Sequence, residues 1–160
     1  MFKNYYDLLK RIKQIEPSLG KEERKEMLDV LDSGWYTEAK KTRRFENMFA
    51  KFVGCKYATA VTSGTTALYV GLKSLGVGKG DEVIVPDFTF VASANAIEMT
   101  GAKPILVDIE SKTLNLDLSK LPNLVTKRTK AIMPVDMNGR STNIIKLSEF
   151  AKKNKKSKKT

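Results

Sequence analysis

Apolar positions recur along this chain at two different periods, and the change from one to the other divides it. Residues 1–19 carry Tyr5, Leu8, Leu9 and Ile12 as one apolar stripe ahead of Pro17, which predicts an amphipathic lead-in helix. A helix is predicted over residues 21–32, with Met27, Val30 and Leu31 on one face and Gly34 as the stop signal. Over residues 42–53, Phe45, Met48, Phe49 and Phe52 fall at i, i+3, i+4 and i+7, with Gly54 at the end. That spacing predicts a helix whose aromatic face is core.

The pattern then shortens. Residues 57–61 form a β-prone run leading into Thr62-Ser63-Gly64-Thr65-Thr66, and a helix with Leu68, Leu72 and Leu75 on one face ends at Gly76. Val83-Ile84-Val85 reads as a strand closed by Pro86, residues 91–99 as a helix closed by Thr100-Gly101, and Ile105-Leu106-Val107 as a strand closed by Asp108. A short helix near residues 118–121, a fourth strand over 131–135 closed by Asp136, and a helix beginning over 146–153 complete the series. Short apolar strands without alternation, separated by helices, predict an α/β fold with a mostly parallel sheet and helices on both faces. In such sheets ligands collect beyond the carboxyl ends of the strands. That rule selects residues 62–66, 86–90, 108–109 and 136–139.

Composition adds limits. At 160 residues the chain accommodates one domain with a real core. No apolar run reaches the ~18 residues of a membrane span, and the first residues lack the apolar core and cleavage site of a secretory signal. Cys55 is the single cysteine, which excludes an intramolecular disulfide framework and fits a reducing compartment, so a cytoplasmic location is expected. The net charge is +11, but six of the lysines lie in residues 152–160, leaving +5 for residues 1–151. The excess is thus local, and the run reads as a solvated, disordered tail. A nucleic-acid-binding tail is the sharper reading, against which the run offers neither an aromatic for stacking nor an arginine for bidentate contacts.

The junction at Ser63-Gly64-Thr65-Thr66 carries the most chemistry. A helix start has unpaired N–H groups and the positive end of the macrodipole, so it can hold a phosphate, with Gly64 allowing close approach and Ser63, Thr65 and Thr66 offering hydroxyls. Equally, Ser63 can serve as a plain N-cap. The Walker spacing is absent. Gly76-Val77-Gly78-Lys79-Gly80-Asp81 follows a helix and precedes a strand, which makes it a helix end and turn. In Pro86-Asp87-Phe88-Thr89-Phe90, two aromatics at a strand end could stack on a flat heteroaromatic ring or pack inward as core. Asp108 and Asp136 could bind a cofactor nitrogen or a sugar hydroxyl, or serve as caps and turn residues. With no histidine anywhere, a Ser–His triad, an imidazole base and the usual zinc sites are excluded, and Cys55 reads as a small buried residue.

From about residue 15 to about residue 153 the chain resembles the N-terminal portion of the DegT/DnrJ/EryC1/StrS aminotransferases. The resemblance rests on stretches in the family's order: Ser33-Gly34-Trp35-Tyr36-Thr37, Phe45-Glu46, Ser63-Gly64-Thr65-Thr66-Ala67-Leu68 and Gly80-Asp81-Glu82-Val83-Ile84-Val85-Pro86. It continues through Thr89-Phe90-Val91-Ala92, Gly101-Ala102-Lys103-Pro104, Val107-Asp108, Arg128-Thr129-Lys130-Ala131-Ile132, and Pro134-Val135-Asp136 running to Gly139. It implies the large domain of the fold-type-I pyridoxal 5'-phosphate enzymes, truncated, spanning residues 21–151 between the 1–20 lead-in and the 152–160 tail.

By that resemblance, Ser63, Gly64 and Thr65 cradle the cofactor phosphate with Thr66 beside them, and Phe90 stacks on the pyridine. Gly34, Trp35, Tyr36 and Thr37 line the site of a nucleotide-linked keto-sugar, which relatives aminate, with glutamate as the expected donor. A homodimer is implied. Two departures stand out. Ala39 occupies a position that is commonly glycine. The family's aspartate that pairs with the pyridine nitrogen and its lysine that holds the cofactor aldehyde are both expected later in the chain than residue 151, where KKNKKSKKT stands instead, so the chain alone is expected to be inactive and to bind pyridoxal 5'-phosphate weakly or not at all. The alternatives are a half-enzyme completed by a separate C-terminal piece, and a non-catalytic basic nucleic-acid-binding protein.

Overall fold

The computed structural model describes residues 17–37 and 40–157, the last three of these by their backbone alone. The residues cluster into two units, Met1–Ala58 and Thr59–Thr160. Most of the predicted 1–19 helix lies outside the described residues.

In the first unit, α1 spans Lys21–Ser33 and α2 spans Lys40–Val53. The start of α1 is held by Glu23, whose carboxylate accepts from the Gly20 N–H at 2.6 Å; that bond holds the Glu23 carboxyl below its ordinary value. Gly34 ends the helix in the left-handed conformation at φ 68°, a geometry that a side chain disfavours. On α2 the buried residues are Glu46 and Ala50, not the aromatics. Phe45, Met48, Phe49 and Phe52 are exposed, Phe52 by 89%, with Phe45 and Phe49 touching ring to ring at 5.9 Å. The expectation that this face is core is therefore corrected: the period shows only that the four residues share a face, and no described residue of this unit buries it. Cys55 likewise is exposed rather than buried, its Sγ bonded to the Tyr57 carbonyl at 3.0 Å.

The second unit is the predicted α/β layer structure. It runs α3 (Gly64–Ser74), β1 (Glu82–Pro86), α4 (Ala92–Met99), β2 (Lys103–Val107), a 3-10 helix (Leu118–Asn123), β3 (Thr129–Ile132), a 3-10 turn (Met137–Gly139) and α5 (Ile144–Ser157). The sheet order is β2-β1-β3, all parallel, with Ile84 of the central strand opposite Ile105 on one side and Ile132 on the other. Every residue of β1 is buried. Alternation along a strand sends Val83 and Val85 to one face, where they pack with Leu72, Ala96 and Ile97 of α3 and α4. Ile84 points to the other face, among Leu116, Leu121 and Leu147. Helices thus cover both faces, as a continuous apolar strand requires.

Three boundaries differ from the sequence expectation. Residues 57–61 take no strand: β-propensity marks readiness for a ladder, but the three strands here pair with one another. The strand expected over 131–135 stops at Ile132. Met133 still donates to the Ile84 carbonyl at 2.8 Å, but Pro134 has no N–H to extend the ladder. Helix α5 continues to Ser157, so the lysine-rich run begins as helix rather than as a disordered tail. Lysine is a good helix former, and cations complement a helix carboxyl end.

Candidate functional site

Connectivity brings two predicted segments to the same end of the second unit. The turn between α3 and β1 reverses the chain tightly, with Gly76 at φ 73° and Gly80 at φ 91°, so α3 runs opposite to β1. Its N-terminus therefore lies toward the carboxyl end of the sheet. Helix α4 starts just beyond Pro86 and runs back in the same sense, packed on α3. Residues 63–66 and Phe90 consequently sit at the starts of two neighbouring helices, at the end of the sheet where ligands collect. The glycine-rich turn is at the opposite end and is structural, as expected.

At the start of α3, Ser63 is extended and its Oγ accepts from the Thr66 N–H at 3.1 Å, so the N-cap role is filled. The hydroxyls are linked: Ser63 Oγ lies 3.0 Å from Thr66 Oγ1, and Thr62 Oγ1 lies 3.3 Å from it. The first intrahelical bond is Ala67 N–H to the Ser63 carbonyl at 3.0 Å. The N–H groups of Gly64 and Thr65 precede it and have no acceptor within the helix. A Cβ placed on Gly64 would meet nothing within 4 Å, so the approach to these donors is open. Two backbone N–H groups, three hydroxyls and the positive end of a three-turn helix dipole form a donor set that fits a phosphate. Capping does not exclude this, because a hydroxyl whose oxygen accepts still carries an O–H that can donate.

Phe90 is 77% exposed and Phe88 49%, so neither ring is core. The Phe90 backbone is fixed by its carbonyl accepting from Ser93 N–H at 3.0 Å, and Thr89 Oγ1 lies 2.9 Å from Ser93 Oγ. A held backbone with an exposed ring is suited to stacking. The two strand-end aspartates are engaged locally. Asp136 Oδ1 accepts from the Thr142 N–H at 2.8 Å, Asp108 Oδ1 accepts from the Ile109 N–H at 2.8 Å, and Asp108 Oδ2 lies 3.7 Å from Lys120 Nζ. Both carboxylates are thus engaged with backbone N–H groups of nearby residues.

The other predicted residues, 34–37, belong to the first unit. With Asp29, Val30, Ser33, Lys40, Lys41 and Thr42 all but Gly34 line a cleft of about 620 Å³. The Trp35 N–H donates to Ser33 Oγ at 3.2 Å and the Tyr36 hydroxyl to the Leu31 carbonyl at 3.3 Å, with both rings largely exposed. Ala39, the departure from the family pattern, lies outside the described residues. Sequence reasoning missed Asp29, Lys40 and Lys41 as cleft residues. A lysine pair at a helix start reads as solvated surface, and only the return of the chain sets it beside α1. Missed too was the buried Glu82, which accepts from Thr126 Oγ1 at 2.5 Å and pairs with Arg128 at 2.6 Å. The Thr126 hydroxyl first, then the Arg128 guanidinium, hold its carboxyl below the usual range against the opposing effect of burial. Among the described residues, no helix is long and apolar enough to cross a membrane.

A family model described as the DegT/DnrJ/EryC1/StrS aminotransferase family matches residues 17–156. The chain is 50% identical over 125 residues to the spore coat polysaccharide biosynthesis protein SpsC of Bacillus subtilis, covering 78% of this chain and 32% of that protein. It is 43% identical over 146 residues to the GDP-perosamine synthase of Caulobacter vibrioides, covering 91% and 39%. A putative sugar aminotransferase from Streptococcus pneumoniae, solved in its PMP form, superposes with TM-score 0.80 at 36% identity, over 83% of this chain and 34% of that one. The chain therefore spans between about a third and two fifths of the length of these relatives.

Proposed function

The chain belongs to the DegT/DnrJ/EryC1/StrS aminotransferase family, and on that premise we propose that it supplies the cofactor-phosphate and substrate-loop portion of a sugar aminotransferase. The N–H groups of Gly64 and Thr65 and the hydroxyls of Ser63, Thr65 and Thr66 hold the phosphate of pyridoxal 5'-phosphate, and the exposed Phe90 ring covers one face of its pyridine. Bound there, the cofactor supplies the electron sink through which an amino group is moved. Trp35 and Tyr36 present flat faces to a nucleotide-linked keto-sugar across the cleft in the first unit, between Gly34 and Thr37. Glutamate is the amino donor of the whole enzyme, which works as a cytoplasmic homodimer.

The observation that carries this reading is the start of α3: an uncrowded glycine and three hydroxyls around two N–H groups with no helical acceptor. The contribution of these residues is recognition of the phosphate, so binding should track that group. Titrating the chain with pyridoxal 5'-phosphate and, in parallel, with pyridoxal tests this directly. Tighter binding of the phosphorylated form, competed by inorganic phosphate, is expected. Equal affinity for the two would remove the basis of the proposal.

A further inference from the structure

Lys41 joins the two helices of the first unit beside the aromatic loop. Its ammonium donates to the Glu26 carboxylate, to the Glu26 carbonyl oxygen at 3.0 Å and to the Asp29 carboxylate at 3.2 Å. An ammonium has three donors, and here all three are taken by α1. Glu26 and Asp29 precede Lys41 by 15 and 12 residues, so this one side chain closes the base of the segment that carries Trp35 and Tyr36. Asp29 and Lys41 also line the cleft that those rings face. Above that closure, the Trp35 N–H donates to Ser33 Oγ at 3.2 Å and the Tyr36 hydroxyl to the Leu31 carbonyl at 3.3 Å, both exposed.

We infer that Lys41 is a positioning residue for the substrate loop, its ammonium setting where Trp35 and Tyr36 stand by tying α1 to the first turn of α2. The inference rests on the reading of residues 34–37 as substrate-facing. Lys41 acts through the loop and touches no reacting atom. Its ion pairs are half-exposed, at 39% for Lys41 and about half for both carboxylates, and exposed pairs contribute little to global stability. The consequence of losing them is therefore local: the loop moves while the helices remain.

Trp35 is the chain's single tryptophan, so its emission reports on this loop without a label. Loop motion falls in the nanosecond range that time-resolved anisotropy of tryptophan samples. In Lys41→Met, a fast nanosecond depolarisation of Trp35 is expected, with the helical circular dichroism and the urea midpoint retained. Lys41→Arg, which keeps a multiple donor, should restore the wild-type decay. A Glu26→Gln, Asp29→Asn double variant, which leaves Lys41 in place, should reproduce the Lys41→Met decay. A Lys41→Met decay identical to wild type, or a Lys41→Arg decay no different from Lys41→Met, would overturn the inference. GDP added to the wild-type chain separates it from the reading beneath it. Unchanged Trp35 emission would sink the substrate-facing role of the loop and leave the anisotropy result standing.

Discussion

Ser63 can be made to show whether the start of α3 is only a cap or also a phosphate cradle, because the two roles respond differently to two substitutions. Its Oγ accepts from the Thr66 N–H at 3.1 Å, so Ser63→Ala strands that donor and should lower stability by ~1 kcal/mol. Glycine at an N-cap loses only a few tenths of a kcal/mol relative to serine, so Ser63→Gly should leave stability nearly intact. Both variants remove the same hydroxyl donor. A hydrogen bond to a charged group contributes ~1.5–3 kcal/mol, which corresponds to roughly a 10- to 150-fold loss of affinity. The expected outcome is that both variants bind pyridoxal 5'-phosphate about equally weakly, while only Ser63→Ala shifts the urea midpoint. Equilibrium dialysis for affinity and circular dichroism in urea for stability provide the two readouts. If both variants bind the cofactor within about twofold of wild type, the hydroxyl is a cap alone and the cradle assignment fails.

Gly64→Ala should keep or slightly raise helix stability, since a Cβ there meets nothing within 4 Å and alanine is the better helix former, yet weaken cofactor binding by crowding the phosphate; unaltered affinity would move the phosphate elsewhere. Ile84 is fully buried in the central strand, so Ile84→Ala should lower stability by ~2–5 kcal/mol, whereas Phe52→Ala, at an 89% exposed position, should change it by less than ~0.5 kcal/mol. Comparable urea-midpoint shifts for the two would mean that the aromatic face of α2 is covered in solution. Glu82 has its folded pKa lowered by the Thr126 hydroxyl and by Arg128, so its carboxylate stabilises the fold above the ordinary glutamate value of about 4.3. That contribution is lost as pH falls through the lowered folded value. Glu82→Gln should therefore flatten the acid limb of the stability–pH curve, and an unchanged limb would assign it to other carboxylates.

The sequence by itself determined the layered α/β plan. Val83-Ile84-Val85 is apolar without interruption, and only a strand covered on both faces accommodates that; Val83 and Val85 meet α3 and α4 while Ile84 meets Leu121 and Leu147. Gly34, Gly76 and Gly101 were legible as chain reversals because their backbone freedom is a local property. So was the start of α3 as a helix terminus, where a glycine and three hydroxyl residues coincide within four positions.

Tertiary structure alone decided what covers each face and what each polar group meets. Phe45, Met48, Phe49 and Phe52 share a helix face as their spacing implies, but spacing carries no information about a partner surface, and here all four are exposed. Asp136 reads as a ligand or a turn residue, and only the fold brings its Oδ1 to the Thr142 N–H, 2.8 Å away. Lys41 looks like surface until the chain returns it to Glu26 and Asp29. Periodicity is set by the backbone's own geometry over a few residues, whereas burial and pairing depend on contacts between segments far apart in the chain, and those exist only once it has folded.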